Sequence, residues 1–185
     1  MSENDKSVGV SRRTVTKAMA WTLPAVAVAA TVPFAAASVC NDFNPENPCP
    51  ISLAGVGCKL PGNSQSLYKG YAFRLTVSNP TGAAITINVI SATLDGQSLG
   101  SVLVVNLTDG SSQTNPFTIP AHTTYVAALL TVNAPNSSNG ALSITYTVNG
   151  GAPMTANATI ASAPPIQGGS CTAFDSTEKA YIAAQ

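Results

Sequence analysis

The sequence predicts an all-β fold in which two antiparallel sheets pack face to face. Three observations carry that prediction. Two stretches alternate cleanly: Tyr71, Phe73, Leu75 and Val77 against Ala72, Arg74, Thr76 and Ser78, then Leu142, Ile144, Tyr146 and Val148 against Ser143, Thr145 and Thr147. Period two is the strand period, and a strand with one apolar face must bury it. Turn chemistry such as Asn79-Pro80-Thr81-Gly82, Asp95-Gly96 and Asn149-Gly150 recurs at about ten-residue intervals. Charged residues make up only 9% of the chain, so the solvated strand faces must be built from Thr, Ser, Asn and Gln. About eight short strands of this kind call for a sandwich.

The chain opens on an export segment. Ser11-Arg12-Arg13-Thr14-Val15-Thr16-Lys17 resembles the twin-arginine pattern S-R-R-x-F-L-K. Arg12, Arg13 and Lys17 match, while Val15 and Thr16 stand where Phe and Leu are usual. A mildly apolar, Ala-rich run follows from Ala18 to Phe34. Ala35-Ala36-Ala37 then offers the small residues that the shallow pockets of a signal peptidase accept, with Ala35 and Ala37 flanking an A-x-A site. The expected cut falls after Ala37 and leaves Ser38 first. An uncleaved anchor would use the same run, which is nearly long enough to span a bilayer, but Pro24, Pro33 and the weak hydrophobicity of Ala oppose it. A lipoprotein acylated at Cys40 would need a large apolar residue three places earlier and Gly or Ala just before the Cys. Ala37 and Val39 stand there.

Removing residues 1–37 leaves about 150 residues, enough for one domain with a real core. Lys6, Arg12, Arg13 and Lys17 leave with the signal. The remainder carries four basic residues against six acidic ones, a net charge of −2. That balance disfavours nucleic acid and anionic lipid as partners, and no stable membrane insertion is expected after cleavage. Cys40, Cys49, Cys58 and Cys171, an even number in an exported chain, read as two disulfides. Three connectivities are open. The expectation is a local Cys40–Cys49 bridge, with Cys58–Cys171 closing a loop of roughly 110 residues worth roughly 4–5 kcal/mol. Zinc ligation would call for C-x-x-C or histidine spacing that these cysteines lack.

Along the chain, Ser38 to Pro50 reads as a turn-rich, Cys-bracketed loop. Ile51 to Lys59 is a first strand interrupted by Gly55 and Gly57. Tyr71 to Ser78 follows, then Ala84 to Leu94 and Leu99 to Leu107, the last stopped by Thr108 to Ser112. Phe117-Thr118-Ile119 is cut off by Pro120 and so is expected at an edge. Thr124 to Val132, Leu142 to Val148 and Met154 to Ile160 complete the set. Ala163 to Ser170 reads as a linker. Asp175 to Gln185 is expected as a short helix with Asp175 or Ser176 as N-cap, marginal at that length unless docked. The expected organisation is a signal peptide at 1–37, the N-terminal loop at 38–50, the sandwich at 51–162, and linker plus tail at 163–185.

The stretch Tyr71-Ala72-Phe73-Arg74-Leu75-Thr76-Val77-Ser78-Asn79-Pro80-Thr81-Gly82, continued by Ala83 to Val89, resembles the core of bacterial surface immunoglobulin-like (Ig-like) repeats of the CARDB kind. Phe117-Thr118-Ile119-Pro120-Ala121-His122-Thr123-Thr124 is similar to the edge strand of such domains. With the export segment, the whole resembles small exported proteins of high-GC Gram-positive bacteria. The resemblance spans roughly Ser66 to Ala161 and implies an Ig-like sandwich with a structural or adhesive role. It brings no catalytic residues with it.

Candidate chemistry is sparse. His122 is the one histidine. A Ser-His-Asp triad would need it beside an oriented acid and an activated serine, and no nucleophile-elbow motif is present. Asp95 and Asp109 sit in Asp-Gly turns, where backbone geometry accounts for them. Asp42-x-Asn44-x-Glu46 opens like a calcium loop, but Asn47 stands where Gly is needed and Leu53 where a bidentate acid is needed. Asn106-Leu107-Thr108, Asn136-Ser137-Ser138 and Asn157-Ala158-Thr159 are formal sequons that a Thr/Ser/Asn-rich bacterial chain produces by chance. Tyr71, Phe73 and Tyr146 fall on core faces, whereas Tyr68 and Tyr125 could reach a sugar.

The function expected is that of a secreted, non-enzymatic Ig-like module without a cofactor, structural or adhesive at the cell envelope. Its partners would be protein or cell-wall glycan, and the edge Phe117–Pro120 is a site for strand addition. The alternatives are a subunit of a surface fibre or layer, exchanging the segment Ser38–Pro50, or a carbohydrate-binding or inhibitor module.

Overall fold

The computed structural model describes residues 38–39, 49–61, 68–135, 138–167 and 169–185. Their strands form two sheets packed around one core, as the alternation predicts. The first sheet contains β1 (Ser38–Val39), β4 (Ile85–Leu94), β5 (Gln97–Ser98), β8 (Phe117–Ile119), β10 (Gly140–Val148) and β11 (Met154–Ile160). It runs β1-β11-β10-β4-β5, with β8 beside the start of β4 and β5 beside its end. The second contains β2 (Ile51–Lys59), β3 (Tyr71–Asn79), β6 (Val102–Asn106), β7 (Ser112–Thr114) and β9 (Thr123–Thr131), in the order β2-β3-β9-β6-β7. All pairs are antiparallel except β1 with β11. The runs β2-β3-β9-β6 and β11-β10-β4 reproduce the two sheets of an Ig-like Greek key.

Core membership follows the alternation. Tyr71, Phe73, Leu75 and Val77 of β3, Ile144 and Tyr146 of β10, and Ile87 of β4 are almost wholly removed from solvent. At Ile90 the pattern breaks: Val89 and Ser91 face the consecutive residues Tyr146 and Thr145. This is a β-bulge, and beyond it the buried positions move to Ala92 and Leu94. Asp95-Gly96 and Asn149-Gly150 turn as expected, with all four residues at positive φ.

The strand expected over Leu99 to Leu107 shortens to Val102–Asn106. Gly100 is left-handed there, and the Leu99 amide donates to the Ala92 carbonyl to close the β4–β5 hairpin. The stretch that ends this strand in the sequence instead turns it into β7, which pairs back on β6. The peptide between Asn115 and Pro116 is cis.

The segment from Ala163 onward, read from its Pro and Gly content as a linker and tail, packs on the outer face of the second sheet. Its backbone bonds both sides of Lys59, through the Pro164 carbonyl and the Ile166 amide. It ends in α1 (Ser176–Ala183). Cys58, Ala72, Leu103, Val105, Ala128 and Leu130 from the strands meet Cys171, Phe174 and Ile182 in a second apolar cluster. β6 is therefore apolar on both faces because both are covered. Cys58 and Cys171 are disulfide-bonded across 113 positions, with Cα atoms 5.9 Å apart. Cys49 is also in a disulfide. Its expected partner, Cys40, lies outside the described residues.

Candidate interaction surface

The first sheet turns a charge-free face to solvent. None of its strands carries Asp, Glu, Lys, Arg or His. Strand alternation places Thr86, Asn88, Ser91 and Thr93 of β4, Ser143, Thr145 and Thr147 of β10, and Thr155, Asn157 and Thr159 of β11 outward. The pairing aligns them in rungs: Thr93–Ser143–Asn157, Ser91–Thr145–Thr155, and Asn88–Thr147. The Thr145 and Thr155 hydroxyls lie 3.3 Å apart and bond across strands. Ile90, 55% exposed at the bulge, is an apolar spot on this face.

Side-chain amides close the sheet edges. The Asn115 carboxamide donates to the Val89 carbonyl and accepts from the Val89 amide, both at 2.8 Å, as a neighbouring strand would. Gln113 does the same for Thr118, accepting from its amide at 2.9 Å and donating to its carbonyl at 3.1 Å. β8 is thus a short strand paired only with β4 among the named strands, as its proline predicts, but the outward groups of Thr118 are already engaged. Asn149 extends β10 by bonding Thr86 through its own amide and its side-chain oxygen. On the opposite border β1 covers β11 at Met154 and Thr155.

Among the described residues, the charges other than Asp95 in the β4–β5 turn gather around the covered sheet. Arg74 projects from the outer side of β3 and donates to the Ala173 carbonyl and to Glu178, 28% and 12% of the paired side chains being exposed. Glu178 also accepts from the Asp175 amide, while the Asp175 carboxylate accepts from the Glu178 amide. This capping box makes Asp175 the N-cap. Lys179 donates to the Cys171 carbonyl at 2.7 Å.

His122 is exposed, left-handed, and, among the described residues, tied to the Asn79 turn by its backbone amide alone. Asp95 lies in its hairpin turn. Asp109 sits in the β6–β7 loop, where its Oδ1 accepts from the Ser111 amide and hydroxyl. Those bonds hold its carboxyl below the usual range. Tyr68 and Phe117 are buried, and Tyr125 is half-buried at the end of β9. Burial, followed by the charge of Asp109, raises the Tyr125 hydroxyl. Arg12, Arg13, Lys17, Ala35, Ala37 and the Asp42–Glu46 loop lie outside the described residues. Among the described residues there is no group of three metal-ligating side chains, and no helix is long and apolar enough to cross a membrane.

Sequence reasoning missed Gln113, Asn115 and the Arg74–Glu178 pair as structural agents. Each acts on a backbone or side chain that the fold alone brings near, 26 positions away for Asn115 and 104 for Arg74. No protein-family model matches this chain, and a search of curated proteins finds no match.

Proposed function

We propose that this chain is a secreted, non-enzymatic Ig-like module with a structural or adhesive role at the cell envelope, its export directed by the twin-arginine-like segment. The observation that carries the reading is the charge-free, hydroxyl- and amide-bearing face of the first sheet. Such a face meets a neutral partner, glycan or protein, through many weak hydrogen bonds and without desolvating a charge. Edge-strand addition at Phe117–Pro120 recedes, because Gln113 already engages Thr118.

The test is fractionation of the producing cells, followed by binding of the recovered chain to their insoluble envelope. The chain is expected outside the membrane, beginning at Ser38. Thr145→Lys and Asn157→Lys are each expected to weaken envelope binding at least tenfold, while Ser52→Lys on the other sheet leaves it unchanged. A chain kept inside the cell with its first 37 residues, or binding indifferent to charge on the face, overturns the reading.

A second reading is a fibre or layer subunit built by exchange of β1 between copies. The parallel β1–β11 pair favours it, since an exchanged strand would make the same bonds in a neighbour. Concentration-dependent oligomers on size-exclusion chromatography would mark it.

A further inference from the structure

A cavity of about 210 Å³ opens at the end of the sandwich where β6, β7 and β9 meet the loop after β8. Its walls include Asn106, Asp109, Gln113, Pro120, Thr123 and Tyr125. The strand pattern explains how they meet. Asn106, Gln113, Thr123 and Tyr125 stand on the inward side of the second sheet, in register with Val104 and Ala127, at the margin of the apolar core, against which half-buried Tyr125 packs in part. The β6–β7 loop folds Asp109 over them. The back of that loop rests on α1: Gly110 is left-handed at φ 76°, and a Cβ there would lie 2.6 Å from the Tyr181 ring.

The walls divide by task. Gln113 is committed to Thr118, and Asn106 Oδ1 accepts from the Thr108 amide. Ser111 occupies Oδ1 of Asp109. Among the described residues, Asp109 Oδ2, Asn106 Nδ2 and the Tyr125 hydroxyl have no hydrogen-bond partner. One fixed acceptor and two donors therefore share a space with the ring of Tyr125 and the apolar surface of Pro120.

We propose that this cavity binds a single neutral sugar ring, with Tyr125 stacked on its C–H face, Asp109 accepting from adjacent hydroxyls, and Asn106 donating to a ring substituent. An aromatic platform beside a few convergent polar groups suits a ligand that is apolar on its faces and hydroxylated at its rim. The volume admits one ring rather than a chain. A lone carboxylate is too little for a cation site. The Ser111 bonds keep Asp109 ionised as an acceptor, and the raised Tyr125 hydroxyl keeps its proton as a donor. The site stands apart from the strand face and takes only its ligand class from the extracellular setting, so either assignment can fail alone.

The experiment is NMR titration of the recovered protein with glucose, galactose, mannose and N-acetylglucosamine, observing the Tyr125 ring. At least one sugar is expected to shift those resonances with a dissociation constant on the order of millimolar, weak as suits one ring. Asp109→Asn preserves the Ser111 turn bonds and is expected to weaken binding at least tenfold. Tyr125→Phe keeps the ring and the fold and is expected to cost severalfold. No shift with any of the four sugars, or equal binding in Asp109→Asn, overturns the proposal. Envelope binding by the face, read with Thr145→Lys, is unaffected by either result.

Discussion

Asn79 shows how one buried polar residue can hold two sheets together. Its Nδ2 shares two protons among the carbonyls of Ala83, Ile119 and Pro120, all at 2.8–3.0 Å, and its Oδ1 accepts from the Thr81 amide and hydroxyl. It thereby fixes the turn after β3 and ties β3 to the end of β8. Asn79→Ala removes these bonds from a buried site, so a loss of roughly 2–4 kcal/mol is expected in chemical denaturation. Tyr146 is the opposite case. Its ring is fully buried, and its hydroxyl faces the Ile51 backbone without a well-formed hydrogen bond. Burial pushes its pKa up to about 12. The folded state therefore resists ionisation. Stability from this group is complete below the unfolded value near 10 and is lost as pH rises from there towards 12, by about 2–3 kcal/mol. Tyr146→Phe is expected to leave stability at pH 7 within about 1 kcal/mol of the parent, since it deletes an unpaired hydroxyl. It is also expected to flatten the alkaline limb of a pH–stability profile, leaving the smaller contributions of Tyr71 and Tyr125, whose hydroxyls are also raised.

At the scale of elements, α1 is the informative case. Eight residues do not make a stable helix in water. This one persists through its capping box, through Ile182 and Phe174 in the second apolar cluster, and through Arg74. Arg74 donates to Ala173 and Glu178, and its guanidinium lies 6.0 Å from the centre of the Phe174 ring. The disulfide at Cys171 anchors the segment upstream but leaves the last fourteen positions to these contacts. Arg74→Ala is therefore expected to cost roughly 1–3 kcal/mol. Proteolysis should read the change as faster cleavage after Cys171, with the sandwich intact. Arg74→Lys is expected to recover only part of the loss, since one ammonium replaces a planar fork.

At the scale of the whole molecule, the two sheets are treated differently. One is sealed outside by the chain's own C-terminal segment, and the charges cluster there. The other presents small uncharged polar side chains across three long strands, while Gln113, Asn115 and β1 occupy its borders. Where these groups engage its edges the sheet resists indiscriminate strand pairing, and its flat face offers a further surface for contact. If that face is the adhesive element, charge introduced at Thr145 or Asn157 should weaken envelope attachment at least tenfold while changing thermal unfolding little. Exposed Asn157→Lys is expected to move stability by about 0.5 kcal/mol or less, and Thr145→Lys, which also loses the cross-strand Thr155 bond, by up to about 1 kcal/mol, which a melting curve alongside the binding assay would check.

By itself the sequence determined the sandwich, its core faces and its hairpin turns. Tyr71 to Val77, Leu142 to Tyr146, Asp95-Gly96 and Asn149-Gly150 act through dihedral preference and period-two burial, which depend on near neighbours alone. The run Val102-Leu103-Val104-Val105 also carried a sign that β6 is buried on both faces, and Phe174 and Ile182 were the apolar residues available to cover it. That they do so was decided by tertiary structure, because the Pro- and Gly-rich stretch that precedes them, residues 163–170, has no periodicity of its own. The same holds for the bulge at Ile90, for the amides that close β4 and β8, and for the cavity beneath Asp109. Each depends on groups distant in the chain meeting at ångström precision, and that is settled by the packing of the whole core rather than by any local pattern.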